Sequence, residues 1–392
     1  MQQLESYFEA VTHPKENLYT WRKRAWDRFL TLGLPRPKQE DFQYISLKDI
    51  SIPTPTQRPV KEFSAAPHSL LFVDGFFQGA NLPTPLVCMK TNAAMLVYGI
   101  FLQNRLSRSL QEEKDPFALM NGALYGEGAF LYVPPNTKVE MPIEIHHYFT
   151  TSEMSSPRLQ IFLARGASVQ IVERTFEKTN SSFCNSYFDI SLDANASLFL
   201  GSKEPKLPSS LRFSAIRSFL KKDSKLHFLS LSEGAKLSRT SLKVELLEEN
   251  SEALLQGLTE LDATLQSHSH VTVEHKAPNC RSKQHFKGVL REKSRSSFEG
   301  KIYVHPIAQK TEAYQLSNQL LLSDEAETHA KPNLEIFADD VKASHGATIS
   351  QLNKEELFYF QSRGISLVDA KEALIKGFCE DIIQHVPSGI TL

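Results

Sequence analysis

From Gly128 to about Val341 the chain alternates apolar and polar positions with a period of two. Examples are Ala129-Phe130-Leu131-Tyr132-Val133, Ile143-Glu144-Ile145, Leu159-Gln160-Ile161-Phe162-Leu163, Val169-Gln170-Ile171-Val172, Leu242-Lys243-Val244-Glu245-Leu246 and Lys301-Ile302-Tyr303-Val304. Side chains of a strand point alternately to its two faces, so each run predicts a strand with one buried face. Between the runs a cadence of turn residue, small residue and apolar residue returns at Gly166-Ala167-Ser168-Val169, Asn195-Ala196-Ser197-Leu198, Gly234-Ala235-Lys236-Leu237 and Asn250-Ser251-Glu252-Ala253-Leu254. Gly and Asn accept positive φ and small side chains fit a corner, so the cadence suits a β-helix, or stacked solenoid, with irregular rungs. A β-sandwich competes, but the strand-like sequence continues far beyond the hundred or so residues of a sandwich domain.

The ends of the chain have the other period. Leu18, Trp21, Trp26, Phe29 and Leu30 fall at near-helical spacing, with Arg22, Lys23, Arg24 and Arg28 as the expected solvated face and Gly33-Leu34-Pro35 as the stop. Ser51 to Val60, with Pro53, Pro55 and Pro59, reads as a linker, and a mixed α/β stretch and a short helix near Asp115–Asn121 follow. After Thr348, Asn353 caps a helix over Lys354–Ser362 that Gly364 ends, and Ser366 caps a second helix with Asp369 at its third position. Ala370, Ala373, Leu374, Gly377, Phe378 and Ile382 line one side of that second helix, a stripe for core packing or for docking another subunit. The expected organisation is 1–125 helical and mixed, 126–345 solenoid, and 346–392 helical.

Composition narrows the class of protein. Of 392 residues, 41% are hydrophobic, and 44 Lys and Arg face 45 Asp and Glu, so no net field gathers nucleic acid or an anionic membrane. Met1-Gln2-Gln3-Leu4-Glu5-Ser6 has neither a basic nor an apolar leader segment, and no apolar run nears the roughly 20 residues of a spanning helix, so the expectation is a cytoplasmic protein. There is no G-x-S-x-G, H-E-x-x-H, G-x-x-x-x-G-K-[ST] or G-x-G-x-x-G, which argues against a hydrolase, a zinc protease or an NTPase. A β-helix enzyme acting on polysaccharide would need a row of converging carboxylates, and none is legible.

Two side-chain types can carry ligand chemistry. Cys88, Cys184, Cys280 and Cys379 lie far apart and form no C-x-x-C pair, so they read as buried, reduced residues. His268 and His270 alternate onto one strand face at roughly 7 Å, where they are either polar rung residues or a pair that could share an ion in a homomeric metal-binding protein. His345 stands in Asp339-Asp340-Val341-Lys342-Ala343-Ser344-His345-Gly346-Ala347-Thr348, which reads as a small-residue turn between a strand and a capped helix. There it either bonds backbone carbonyls or meets a ligand or partner.

That segment, with Leu357-Phe358-Tyr359-Phe360-Gln361-Ser362-Arg363-Gly364-Ile365 after it, resembles the SufB/SufD family of iron–sulfur cluster assembly proteins. Supporting matches are Gly33-Leu34-Pro35 with Glu40-Asp41-Phe42-Gln43-Tyr44, Phe130-Leu131-Tyr132-Val133-Pro134 with Pro142-Ile143, His275 through Ser282, and Phe298-Glu299-Gly300-Lys301-Ile302. Ser-His-Gly-Ala-Thr and the N-terminal Gly-Leu-Pro look like the SufD branch. The resemblance implies a right-handed parallel β-helix core and a non-catalytic scaffold that pairs through that core with SufB. It also implies C-terminal helices that engage the ATPase SufC, with Phe358, Tyr359, Arg363, Gly364, Leu374 and Phe378 at that contact. His345 is implied to help hold a transient iron–sulfur cluster opposite a SufB cysteine, and many relatives carry Cys where this chain has Ala343. An unpartnered strand edge also makes a homodimer of the isolated chain an expectation.

Overall fold

The computed structural model describes residues 2–36, 39–45, 47, 50–56, 63–179, 181–387 and 390, so the predicted linker is described only as far as Thr56 and Pro59 lies outside. Its centre is a parallel β-helix of about eight coils, built from two ten-stranded sheets. Sheet I ends with Arg295–Val304 and Glu327–Ile336, and sheet II with Thr311–Leu321 and Val341–Ser350. Each coil gives one strand to each sheet, and every predicted strand lies inside an observed one. The sheets also take in Ser69–Val73, Phe76–Asn81 and Val87–Lys90 from ahead of residue 126, and at the far end they run on to Ser350.

One column of corners explains the cadence. Asn136, Gly166, Asn195, Asp223, Asn250, Asn279 and Lys310 all take positive φ, one in each successive coil. There the amide no longer serves a strand ladder and bonds to the next coil's corner instead. Gly166 N donates to Ala194 O at 2.9 Å, Asn195 N to Lys222 O at 2.9 Å and Asn279 N to Gln309 O at 2.9 Å. Gly234, also at positive φ, turns the opposite corner.

Inside the coils, side chains stack in register. Ile171, Leu200, Phe228 and Leu255 occupy one column on four consecutive strands of sheet II, each 2% exposed or less. Every such side chain removed from water contributes about 1.5–3 kcal/mol. The same column continues through Gln284 and Gln315 and ends at His345. Beside the aliphatic stack the lumen is polar: Ser202, Ser230, Ser186, Ser214 and Thr240 line a chamber of about 70 Å³ with Glu173 and Glu204.

The N-terminal helices cover the outer face of sheet I. They are α1 (Gln2–Val11), α2 (Tyr19–Leu32), α3 (Thr91–Glu112) and α4 (Pro116–Leu124). Trp26 and Phe29 of α2 are buried, and Gly33 ends it at φ +70°. Arg22, expected on a solvated face, is buried. Its guanidinium satisfies the carbonyls of Ala123 and Tyr125 at the end of α4, at 3.0 and 2.8 Å, which free α4 carbonyls require. Asp115 caps α4 through Phe117 N, and Asn121 donates across to Pro157 O and Asn185 O on sheet I.

Two helices follow the last strand: α5 (Lys354–Ser362), capped by Asn353, and α6 (Leu367–Ile383), whose Ser366 cap bonds reciprocally with Asp369. The stripe on α6 is rotated from the predicted one. Ile375, Phe378, Cys379 and Ile382, at i, i+3, i+4 and i+7, pack on Phe199, Leu229, Leu258 and Val289 of sheet II, whereas Ala373 and Gly377 face out and Leu374 is half-buried. Of the small residues in the predicted stripe, Ala370 is buried, whereas Ala373 and Gly377 add nothing to the contact.

Candidate functional site

Of the predicted site residues, His345 lies on the last coil, while the others lie on or beside α5 and α6 or on an earlier strand of sheet I. Val341–Ser350 is the final strand of sheet II, hydrogen-bonded on one side to Thr311–Leu321 and without a strand on the other. His345 therefore lies in the middle of an edge strand, not in a turn before a helix, because pairing with the preceding coil extends the strand to Ser350. Its cross-strand neighbour is Gln315 and that of Ala343 is Ala313, so both positions share the inward-facing row, as strand alternation requires. Among the described residues no further coil covers them. His345 is exposed and makes no hydrogen bond among the described residues, and Phe337 and Ile349 on the same rung are 57% and 50% exposed.

Beneath His345 the column is polar and tightly packed. Gln315 Nε2 donates to Gln284 Oε1 at 2.8 Å, and Gln315 Oε1 has no partner among the described residues although Gln315 is only 2% exposed. A Cβ on Gly300, in the facing sheet, would lie 2.0 Å from Gln315 Nε2, so this glycine makes the glutamine's room. Phe298 stacks on Phe286 in the lumen at 4.7 Å and Ile302 is core, which gives the Phe298–Ile302 motif a packing role. The His275–Ser282 motif is a corner: Asn279 has φ +59°, Cys280 is wholly buried, and His275 Nε2 closes the turn on Ser282 Oγ at 2.8 Å. Burial pushes His275 down to about 3.

All four cysteines are unpaired thiols, and burial pushes Cys88 up to about 12 and Cys184 and Cys379 to about 11, so none is a ready thiolate. Ala343 brings no thiol beside His345.

Helix α5 differs from every other helix described: none of its residues is buried. Phe358 and Tyr359 are 72% and 58% exposed, and the Arg363 guanidinium lies 5.2 Å from the Tyr359 ring centre. Gly364 ends the helix at φ +79°. Val368 of α6 adds to this apolar surface. Phe378, by contrast, faces the solenoid, where Lys287 Nζ sits 4.6 Å over its ring and donates to its carbonyl at 2.7 Å and to Asp381 at 2.6 Å.

His268 and His270 share the outer face of sheet I but not one set of partners. His268 is buried, with both ring nitrogens engaged by Ser297 Oγ (2.9 Å) and Gln266 Oε1 (3.3 Å), and burial drives it down to about 3. His270 opens into a cleft of about 580 Å³ between sheet I and the Glu40–Phe42 turn, where its Nε2 lies 3.6 Å from Asp41 Oδ1. Buried ion pairs line the same cleft: Arg217 grips both oxygens of Glu113 at 2.8 and 2.9 Å, and Arg239 holds Asp115. Burial alone would raise the Asp115 carboxyl, but Arg239 and Arg217 hold it below its ordinary value. Glu299 is pushed up to about 7 by burial and by Asp41 and Glu40, against the pull of Lys331 and Arg239. Sequence reading missed Glu299 as a site residue, because its nearest acidic neighbours come from the far end of the chain.

The architecture defines a parallel β-helix protein with helical appendages at both ends. Residues 147–378 match the family model for the SufBD core domain of SUF-system iron–sulfur cluster assembly, and the chain belongs to that family. It is 29% identical to an iron–sulfur cluster assembly SufBD family protein of Synechocystis, over 93% of this chain and 87% of that one. Similarity to the iron–sulfur cluster assembly protein SufD of Escherichia coli is 27% identity over 91% of this chain and 86% of its own. The chloroplastic protein ABCI7 of Arabidopsis thaliana is 32% identical over 73% of this chain. No described helix is long and apolar enough to cross a membrane.

Proposed function

We propose that this chain is the non-catalytic scaffold subunit of a SufB–SufC–SufD type assembly, occupying the SufD position. The observation that carries the reading is the open last coil: a ten-residue edge strand with its inward row uncovered and an unbonded histidine at its centre. An edge of this length presents unpaired backbone donors and acceptors and favours another strand end, here that of SufB. His345 then supplies one neutral imidazole to a nascent cluster whose other ligands come from the partner, since one histidine cannot hold a cluster. The cluster is cargo, formed and passed on. ATP hydrolysis belongs to SufC, which α5 engages through Phe358, Tyr359 and Arg363, with Gly364 setting the turn into α6. In isolation the same open end favours a homodimer. Flavin has no assigned place in this reading.

Anaerobic co-expression of the tagged chain with SufB and SufC tests this. Both partners are expected to co-purify, and His345→Ala is expected to retain both while lowering iron and sulfide in the complex. Recovery of neither partner in gentle salt sinks the scaffold reading, and unchanged iron and sulfide removes His345 from the ligands.

A further inference from the structure

The cleft lies on the outer face of sheet I and shares no residue with the open inward row around His345. Its roof is pinned: Phe42 is 2% exposed and packs 6.0 Å from Phe117, Arg239 lies 4.0 Å over the Phe42 ring, and Tyr44 stacks on His329 at 4.3 Å. Asp41 is thereby fixed above the sheet. Beneath it, His270 and Glu299 are direct neighbours on adjacent parallel strands.

Charge in the cleft is uneven. Five of its lining cations have an anion each: Arg217 has Glu113, Arg239 has Asp115, Lys243 has Glu274, Lys301 has Glu335 and Lys331 has Glu40. Asp41 meets only the His270 ring, at 3.6 Å, and Glu299 makes no ion pair among the described residues. Glu299 is 8% exposed, lines the cleft, and makes no hydrogen bond or ion pair among the described residues. A buried carboxylate without a donor is costly, and the usual compensation is a proton or a cation.

We propose that His270, Asp41 and Glu299 form a binding site for a divalent first-row transition-metal ion. One imidazole and two carboxylates suit that class better than calcium or magnesium, which prefer oxygen ligands alone. In the unliganded chain no three such side chains among the described residues stand close enough to hold an ion. His270 and Asp41 are already 3.6 Å apart, near the spacing of two donors on one ion, and Glu299 has no bond to break in turning toward them. The site joins the N-terminal segment to the sixth and seventh coils, so an occupied site ties the helical cover to the solenoid. His268, two positions away, takes no part because both of its nitrogens are engaged.

Titration of the metal-free full-length chain with Co²⁺ at pH 8, read by its visible absorption, tests the site. One equivalent is expected to bind with a spectrum carrying an imidazole contribution. His270→Ala and Glu299→Gln are each expected to weaken binding about 100-fold or more, and His345→Ala to leave it unchanged. Thermal unfolding of each variant without metal separates loss of the site from loss of the fold, and Asp41→Asn, on the exposed roof, gives a third variant with little folding cost. Absence of saturable binding overturns the proposal, as does equal affinity in the His270 and Glu299 variants, or loss of binding in His345→Ala alone.

Discussion

At the scale of single residues, burial without a partner gives the clearest consequences. Glu299 titrates near 7 in the folded chain against about 4.5 when unfolded, so its deprotonation opposes folding. Its neutral form costs nothing below pH 4.5, and the penalty grows as pH rises to 7 and is complete above it. Glu299→Gln is therefore expected to stabilise the metal-free chain at pH 8 by on the order of 2 kcal/mol and to have little effect at pH 4.5. Urea unfolding at the two pH values checks this, and a destabilised variant at pH 8 would show that Glu299 has a partner as an anion. Gly300 is a second case. The Cβ of Gly300→Ala would meet the Gln315 amide, and about 1–3 kcal/mol of stability should be lost. Gln315→Ala in the same chain should recover part of that loss, and a strictly additive double mutant would show that the two do not meet.

At the scale of elements, the two C-terminal helices differ in how they are held. α6 is held by Ile382, fully buried among sheet II side chains, whereas no residue of α5 is more than half-buried. Ile382→Ala is expected to cost about 2–5 kcal/mol in chemical unfolding. Phe358→Asp should leave stability within about 0.5 kcal/mol but prevent co-purification of the ATPase. Full ATPase recovery with Phe358→Asp would exclude α5 from the contact. Helical periodicity identified both helices and both caps, because caps and periodicity are local. Which side of α6 is inward was settled by the shape of sheet II, which accepts Ile375 and Cys379 and not the smaller Ala373 and Gly377.

At the scale of the whole molecule, buried neutral histidines make the solenoid sensitive to acid. His268 and His275 titrate near 3 when folded and near 6.5 when unfolded, so below pH 6.5 the unfolded chain takes up protons that the folded chain does not. Stability from both is complete above 6.5 and falls by up to about 1.4 kcal/mol per pH unit for each histidine. Glu299 works in the opposite direction over part of that window, so the fall is best measured in Glu299→Gln between pH 7.5 and 5. A flat urea midpoint there would mean that these histidines are protonated in the folded state.

Strand alternation and the Gly or Asn corners were enough, read alone, to specify a β-helix. Each strand's inward face and each positive-φ turn is a local requirement that the residues themselves announce. The family was legible in the same way, through the segment around His345 and the corner and lumen motifs that this fold requires. Other features depended on which coil lies beside which. The corner at Lys310 has no composition signal and follows from stacking on its neighbours. Arg22 had the pattern of a solvated residue until α4 brought it carbonyls to satisfy. His345 sits on an edge strand only because the preceding coil extends the ladder past it. The sequence placed His268 beside His270, but it was the fold that set Asp41 and Glu299 around His270. Local periodicity determines strands, helices and their caps, while contacts across hundreds of residues are decided only when the coils close.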